Sequence, residues 1–142
     1  MALQFQLSNA PSESDFAFFN YSGSDIPAFV SVQADAVNVV GTNPNEGIGI
    51  VPVAVTGNVV IGVTMEVIKA GSYGRVRCFG PIAQTFADGV VTANGIVDGS
   101  ATASRIGFAK AHAAGKNQLG IALSTAADQD PVLVMLVGGF NA

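Results

Sequence analysis

Ile61-Gly-Val-Thr-Met-Glu-Val-Ile-Lys-Ala-Gly-Ser-Tyr-Gly-Arg-Val-Arg-Cys-Phe-Gly80 is matched without a gap, fifty-eight positions on, by Leu119-Gly-Ile-Ala-Leu-Ser-Thr-Ala-Ala-Asp-Gln-Asp-Pro-Val-Leu-Val-Met-Leu-Val-Gly138. Gly62 falls on Gly120, Val63 on Ile121, Met65 on Leu123, Val76 on Val134 and Gly80 on Gly138. Each copy is an apolar strand opened by a glycine, a polar turn near Ala70 to Ser72 or Asp128 to Asp130, and a second apolar strand with the spacing Val-x-x-x-Gly. Short apolar runs bracketing a polar turn are the pattern of a β-hairpin. Two versions of one hairpin therefore frame the C-terminal half.

The copies differ on one face. Val76 and Cys78 correspond to Val134 and Leu136, and alternation along a strand sends these to a common inward side. On the opposite side Arg75 and Arg77 correspond to Leu133 and Met135, so that Pro131 to Val137 is apolar on both faces. Such a strand is either central and covered by its own domain or part of a subunit interface. The second reading makes Leu133 and Met135 candidates for self-association.

Outward from these hairpins the chain reads as strands and turns. Ile50 to Val55 turns through Gly57-Asn58 into Val59 to Met65, the spacing of a tight hairpin. Pro52 cannot donate to a ladder, which predicts an edge strand there. Asp88-Gly89, Asn94-Gly95 and Asp98-Gly99 mark further turns. Phe108 to Lys116 holds good helix formers but is short and closed by Gly115, and a strand over 105–111 followed by a turn at Ala114 to Asn117 fits better. Residues 1–35 are the least regular, with the breaker Ser8-Asn-Ala-Pro-Ser-Glu-Ser ahead of Phe16, Phe18, Phe19 and Tyr21. The expectation is an extended N-terminal arm over 1–35 and a β domain over 36–142. The fold class is all-β, a small barrel or sandwich of antiparallel hairpins. Burial of one such ring contributes on the order of 1.5 to 3 kcal/mol, enough to fasten the arm to its own barrel or to a neighbour.

Composition narrows the function. The 142 residues are 49% hydrophobic and 11% charged, so part of the surface is expected to be covered by something besides the chain's own core. No apolar run approaches the roughly 20 residues of a membrane helix. Met1-Ala-Leu-Gln lacks the basic and apolar regions of a secretory leader, and Cys78 is the only cysteine; a soluble chain made in a reducing compartment is expected. Residues 1–68 carry six carboxylates and no Lys or Arg, whereas all six cations follow Ile68. The net charge of −4 disfavours a phosphate backbone, which needs a dense basic patch. The uneven charge is either an ordinary solvated surface or a means of pairing between copies or with an acidic partner.

The residues offer little chemistry. His112 is the sole histidine, leaving no pair for a metal, and its alanine neighbours point to a loop or solvent-facing position. Cys78 falls on the inward side, where a buried thiol is inert. No Gly-Lys-Ser/Thr occurs, and Gly47-x-Gly49 lacks a strand-turn-helix setting. Asp128 and Asp130 suit a turn better than a calcium loop. Asn20-Tyr-Ser22 matches a glycosylation sequon, which has meaning only in a secreted chain. The reading is a protein without catalytic residues, metal or cofactor.

The ordered series Asn20-Tyr-Ser-Gly-Ser-Asp-Ile-Pro, Val60-Ile-Gly-Val-Thr-Met-Glu, Gly71-Ser-Tyr-Gly-Arg-Val, Ala87-Asp-Gly, Gly107-Phe-Ala-Lys-Ala, Leu119-Gly-Ile-Ala-Leu and Asp130-Pro-Val-Leu-Val-Met-Leu resembles the capsid decoration, or cement, proteins of tailed bacteriophages. The resemblance runs from about Asn20 to the C-terminus. It implies a β-rich structural protein, made in the bacterial cytoplasm, that adds to the outer surface of the virion capsid as a homotrimer and bridges subunits of the major capsid protein. On that reading Phe16, Phe18 and Phe19 are shell anchors, Arg75, Arg77 and Arg105 pair with an acidic lattice, and neither nucleic acid nor membrane is a partner. A carbohydrate-binding or fibre, host-attachment domain would use the same scaffold, although sugar sites stack on exposed rings and this chain has no Trp and only Tyr21 and Tyr73. A hydrolase is the weaker rival, lacking an acid/base constellation.

Overall fold

The computed structural model describes residues 15–35, 49–52, 60–78, 82–113 and 118–137. These hold ten strands: β1 Asp15–Asn20, β2 Ser31–Ala34, β3 Gly49–Pro52, β4 Val60–Thr64, β5 Tyr73–Arg77, β6 Ile82–Phe86, β7 Ile96–Gly99, β8 Ala109–Ala111, β9 Gln118–Ala122 and β10 Pro131–Leu136. No helix occurs among the described residues, and the fold is all-β as the turn spacing predicts.

The first five strands close into a barrel in the order β1-β3-β2-β4-β5, with β1 parallel to β3 and antiparallel to β5. The last five form a sheet in the order β6-β10-β9-β7-β8. Read around the closed barrel the other way, from β1 to its partner β5, the order is β1-β5-β4-β2-β3, and replacing each strand by the one five places later gives the order of the second sheet. The ladder β4–β5 pairs Val63 with Arg77 and Thr64 with Val76, and β9–β10 pairs Ile121 with Met135 and Ala122 with Val134, the same register through the duplicated hairpin. A bulge between Val32 and Gln33 in β2 recurs between Val97 and Asp98 in β7. The bridge Ile26–Ile68 recurs as Val91–Ala126, and the parallel β1–β3 ladder shrinks to one parallel bridge, Ala87–Ala109. The duplication seen in one hairpin therefore extends to all ten strands, as two five-stranded units.

The glycine that opens each hairpin has a physical cause. A Cβ on Gly62 would strike the Arg77 carbonyl oxygen and Val76 Cγ1; on Gly120 it would strike the Met135 carbonyl oxygen and Val134 Cγ1. Only glycine lets the paired strand come this close.

Alternation then sorts the side chains. Ile26, Val30, Val32, Ile50, Ile68, Val76 and Cys78 fill the first unit. Ala83, Val97, Leu119, Val132, Val134 and Leu136 are among those filling the second, joined by Val60 and Val63 from β4 of the first unit. β4 lies against β6 and β9, so it helps to seal the second core. Polar contacts lock this joint: Ser31 N and Oγ both donate to the Gly107 carbonyl at 2.8 and 3.0 Å, Thr85 Oγ1 donates to the Phe29 carbonyl at 2.7 Å, and Phe29 meets Phe86 edge-on.

Several expectations are corrected. The described part of the supposed arm is barrel: β1 and β2 lie within residues 15–35, because Phe18 reaches the first core and Phe19 packs on Tyr73; residues 1–14 lie outside the described residues. A boundary at residue 35 therefore cuts through the barrel. β3 and β4 are not a hairpin, since β2 lies between them, and the turn at Gly57-Asn58 lies outside the described residues. Pro52 is not on an edge strand, because β3 has neighbours on both sides; it is the last residue of β3, beyond Gly49 and Ile50, which pair with β1. Asp98-Gly99 lies within β7, whereas Gly89 and Asn94 take the positive φ of true turns. The strand near Phe108 covers only Ala109–Ala111, and the turn placed at 114–117 lies outside the described residues.

Candidate functional site

The three arginines expected to face an acidic lattice are engaged within the chain. Arg77 is buried, its Nε and Nη2 donating to the two carboxylate oxygens of Asp15 at 2.7 and 3.2 Å and its Nη1 to the Ile82 carbonyl at 3.1 Å. A bidentate pair of this kind fixes orientation as well as charge. Arg75 lies 3.6 Å from Asp15 and 4.0 Å from Glu66. Arg105 spans Asp128 at 2.6 Å and Asp88 at 3.1 Å. Asp88 also accepts from Ser100 Oγ at 2.5 Å. Burial pushes the Asp88 carboxyl up, but bonds from Ser100, Thr102 and Arg105 and the charge of Lys110 outweigh it and hold the group at about 2. These side chains brace the fold.

The three phenylalanines do not form one patch. Phe18 packs on the first core. Phe19, one residue on and so on the opposite face of β1, has its ring 4.4 Å from that of Tyr21 and 4.9 Å from that of Tyr73, and Tyr73 is 52% exposed. Phe16 is 52% exposed despite pairing with buried Val76.

Leu133 and Met135 lie on the outer face of the second sheet, with β10 central between β6 and β9. The strand is thus central, as one reading held, yet its outer face is not covered: Met135 is 38% exposed. Register makes Met135 one of a row across four strands, Ile82–Met135–Ile121–Ile96. Ile96 is 44% exposed, and Ile82 and Ile121 are half-buried. Leu133, half-buried, and exposed Leu123 and Val137 extend the apolar surface. Sequence reasoning missed Ile82 and Ile96 because β6 and β7 lie far from β10 in the chain; only the pairing order brings them into one row with Ile121 and Met135.

Cys78 and His112 sit in different units. Cys78 belongs to the first core, where burial and then the charge of Asp15 push its thiol up to about 11. His112 lies just past the end of β8, the loop position expected, but its ring turns inward: its Nδ1 lies 2.7 Å from buried Asp98, which also accepts from the Ala113 N–H at 2.9 Å. Asn20, the sequon residue, is fully buried and donates to the carbonyls of Ser24 and Ile68. Among the described residues no three His, Cys, Asp or Glu side chains are grouped to hold a metal. An apolar groove of about 440 Å³ runs between the units, lined in part by Pro27, Val30, Phe86, Ile106 and Phe108.

No family model matches the chain, and no curated protein matches it. Among solved structures the fold is similar to that of the N base of the head fiber gp8.5 of bacteriophage phi29, with a TM-score of 0.61 over 90% of this chain and 98% of that one, at 13% identity. At this identity the likeness is one of fold.

Proposed function

We propose that the chain is a structural protein of a tailed-phage particle, which decorates the outside of the capsid as a homotrimer and stabilises it by bridging adjacent capsomers of the major capsid protein. The observation that carries this reading is the shared fold with a component of a phage head, joined to an outer sheet face that is apolar where a solvated face is expected to be polar. Packaged DNA strains a shell outward, and a protein seated across two capsomers resists their separation with added buried interface. Each contact can be modest, because an oligomer engaging several sites gains by effective concentration. The proposed role is that of a fastener, which asks for no catalytic residue and no cofactor.

With the arginines engaged internally and Phe18 in the core, shell contact falls to the outward ring cluster Phe19, Tyr21 and Tyr73. Exposed aromatic rings anchor interfaces well, since they bring large area at small entropy cost. The test is co-sedimentation with expanded heads and with unexpanded procapsids. Retention on expanded heads, weakened at least tenfold by Tyr73→Ala with the oligomer intact, is the expected result. Equal indifference to both particles removes the reading. A second reading, a fibre or host-attachment module, is favoured by the likeness in fold to the base of a phi29 head fiber; attachment to host cells in place of heads would select it.

A further inference from the structure

The joint between the two units is head to tail. In the first unit the outward row Asp15–Arg77–Val63–Ser31 crosses β1, β5, β4 and β2. It is covered: Val63 enters the second core, Ser31 bonds to Gly107, and Arg77 reaches the Ile82 carbonyl. The matching row of the second unit, in the same register, is Ile82–Met135–Ile121–Ile96. The covered row carries an aspartate, an arginine and a serine, whereas the exposed row is wholly apolar. That is the reverse of what solvent would select.

The receiving side shows the same asymmetry. The second unit takes β4 on β6 and β9, where Ala83 and Leu119 are buried. The equivalent positions of the first unit, on β1 and β4, are Phe16, exposed, and Ile61, which is half-buried and packs on the first unit's own core, so the open part of this side is at Phe16. One end of the chain thus presents a donor face with no acceptor, and the other an acceptor with no donor.

We infer that a second copy of this chain docks the β1 and β4 side of its first unit, Phe16 included, onto Ile82, Ile96, Ile121 and Met135, repeating between copies the joint that exists within each. Such a contact is heterologous, and it closes into a ring when the rotation allows. It deepens the trimer of the proposed function by naming its two surfaces, but it needs no capsid. A chain that assembles this way and ignores heads removes the capsid reading alone.

Two full-length variants test it. Met135→Glu spoils the donor face and leaves the acceptor; Phe16→Glu does the reverse. Light scattering and native mass spectrometry should find wild type oligomeric, each variant monomeric, and their equimolar mixture a heterodimer that grows no further. Formation of the heterodimer also shows that both variants fold. Ile96→Lys should replace Met135→Glu in the mixture with the same result. A monomeric wild type, a Phe16→Glu variant that assembles unaided, or a mixture that stays monomeric while both variants keep the wild-type circular dichroism each overturn the inference.

Discussion

Asp88 concentrates more of the second unit's polar bonding than any turn signal announces. Its carboxylate is nearly buried and draws Ser100, Arg105 and Lys110 toward one point, and Arg105 carries the contact on to Asp128. Since the folded group titrates at about 2 against an ordinary value of 3.8, the unfolded chain binds this proton more readily. The stabilisation is therefore complete above pH 4 and is lost as pH falls from about 4 towards 2. Asp88→Asn should cost on the order of 2 kcal/mol at neutral pH, as expected for charge-assisted bonds. It should also flatten that part of the acid limb when urea midpoints are compared between pH 5 and pH 2. A variant as acid-sensitive as wild type would place the titration elsewhere. The sequence shows Asp88-Gly89 only as a turn, and Gly89 does take φ +81°; the carboxylate's partners come from a distant loop and could not be read locally.

Strand pairs explain why one part of the duplication is legible and the rest is not. The hairpin β4–β5 recurs as β9–β10 with no insertion, so aligned residues keep aligned roles: Gly62 and Gly120 admit a close carbonyl, and Val76 and Val134 face inward. Elsewhere the spacing between strands differs, β2 ending at Ala34 and β3 starting at Gly49 against β7 ending at Gly99 and β8 starting at Ala109, and the shift between copies changes from one strand to the next. What persists there is geometry. Phe29 and Asn94 share a positive φ of 64° and 67°, and Gly71 and Gln129 share 72° and 68°, although the residue types have nothing in common. A barrel asks for turn positions and inward alternation, and many side chains meet both demands. Where a single residue type is required, the two copies should respond alike: Gly62→Ala and Gly120→Ala should each destabilise by roughly 1–3 kcal/mol, measured by urea unfolding. A large cost at one site and none at the other would mean that the strands approach differently in the two units.

At the scale of the whole molecule the units are unequal partners, and this unequal burial governs how mutations spread. The charge contrast between residues 1–68 and 69–142 does not follow the units, because Lys69, Arg75 and Arg77 belong to the first one and pair there with Asp25, Glu66 and Asp15. The contrast that matters is burial at equivalent positions. Val63 is fully buried in the joint, whereas Ile121, its counterpart, is half-buried on the open face. Val63→Ala opens a cavity inside every copy and should cost about 2 kcal/mol at any protein concentration. Ile121→Ala should cost less than Val63→Ala in dilute protein, since Ile121 is only half-buried there and part of its side chain stays in water. In concentrated protein the same change removes contacts between copies, and mass action couples assembly to stability, so its cost should grow with concentration. Urea unfolding across a hundredfold range of concentration separates the two behaviours. A concentration-independent penalty for Ile121→Ala would show that the open face meets water in the working molecule, leaving the apolar row Ile82–Met135–Ile121–Ile96 to be explained by something other than a second copy.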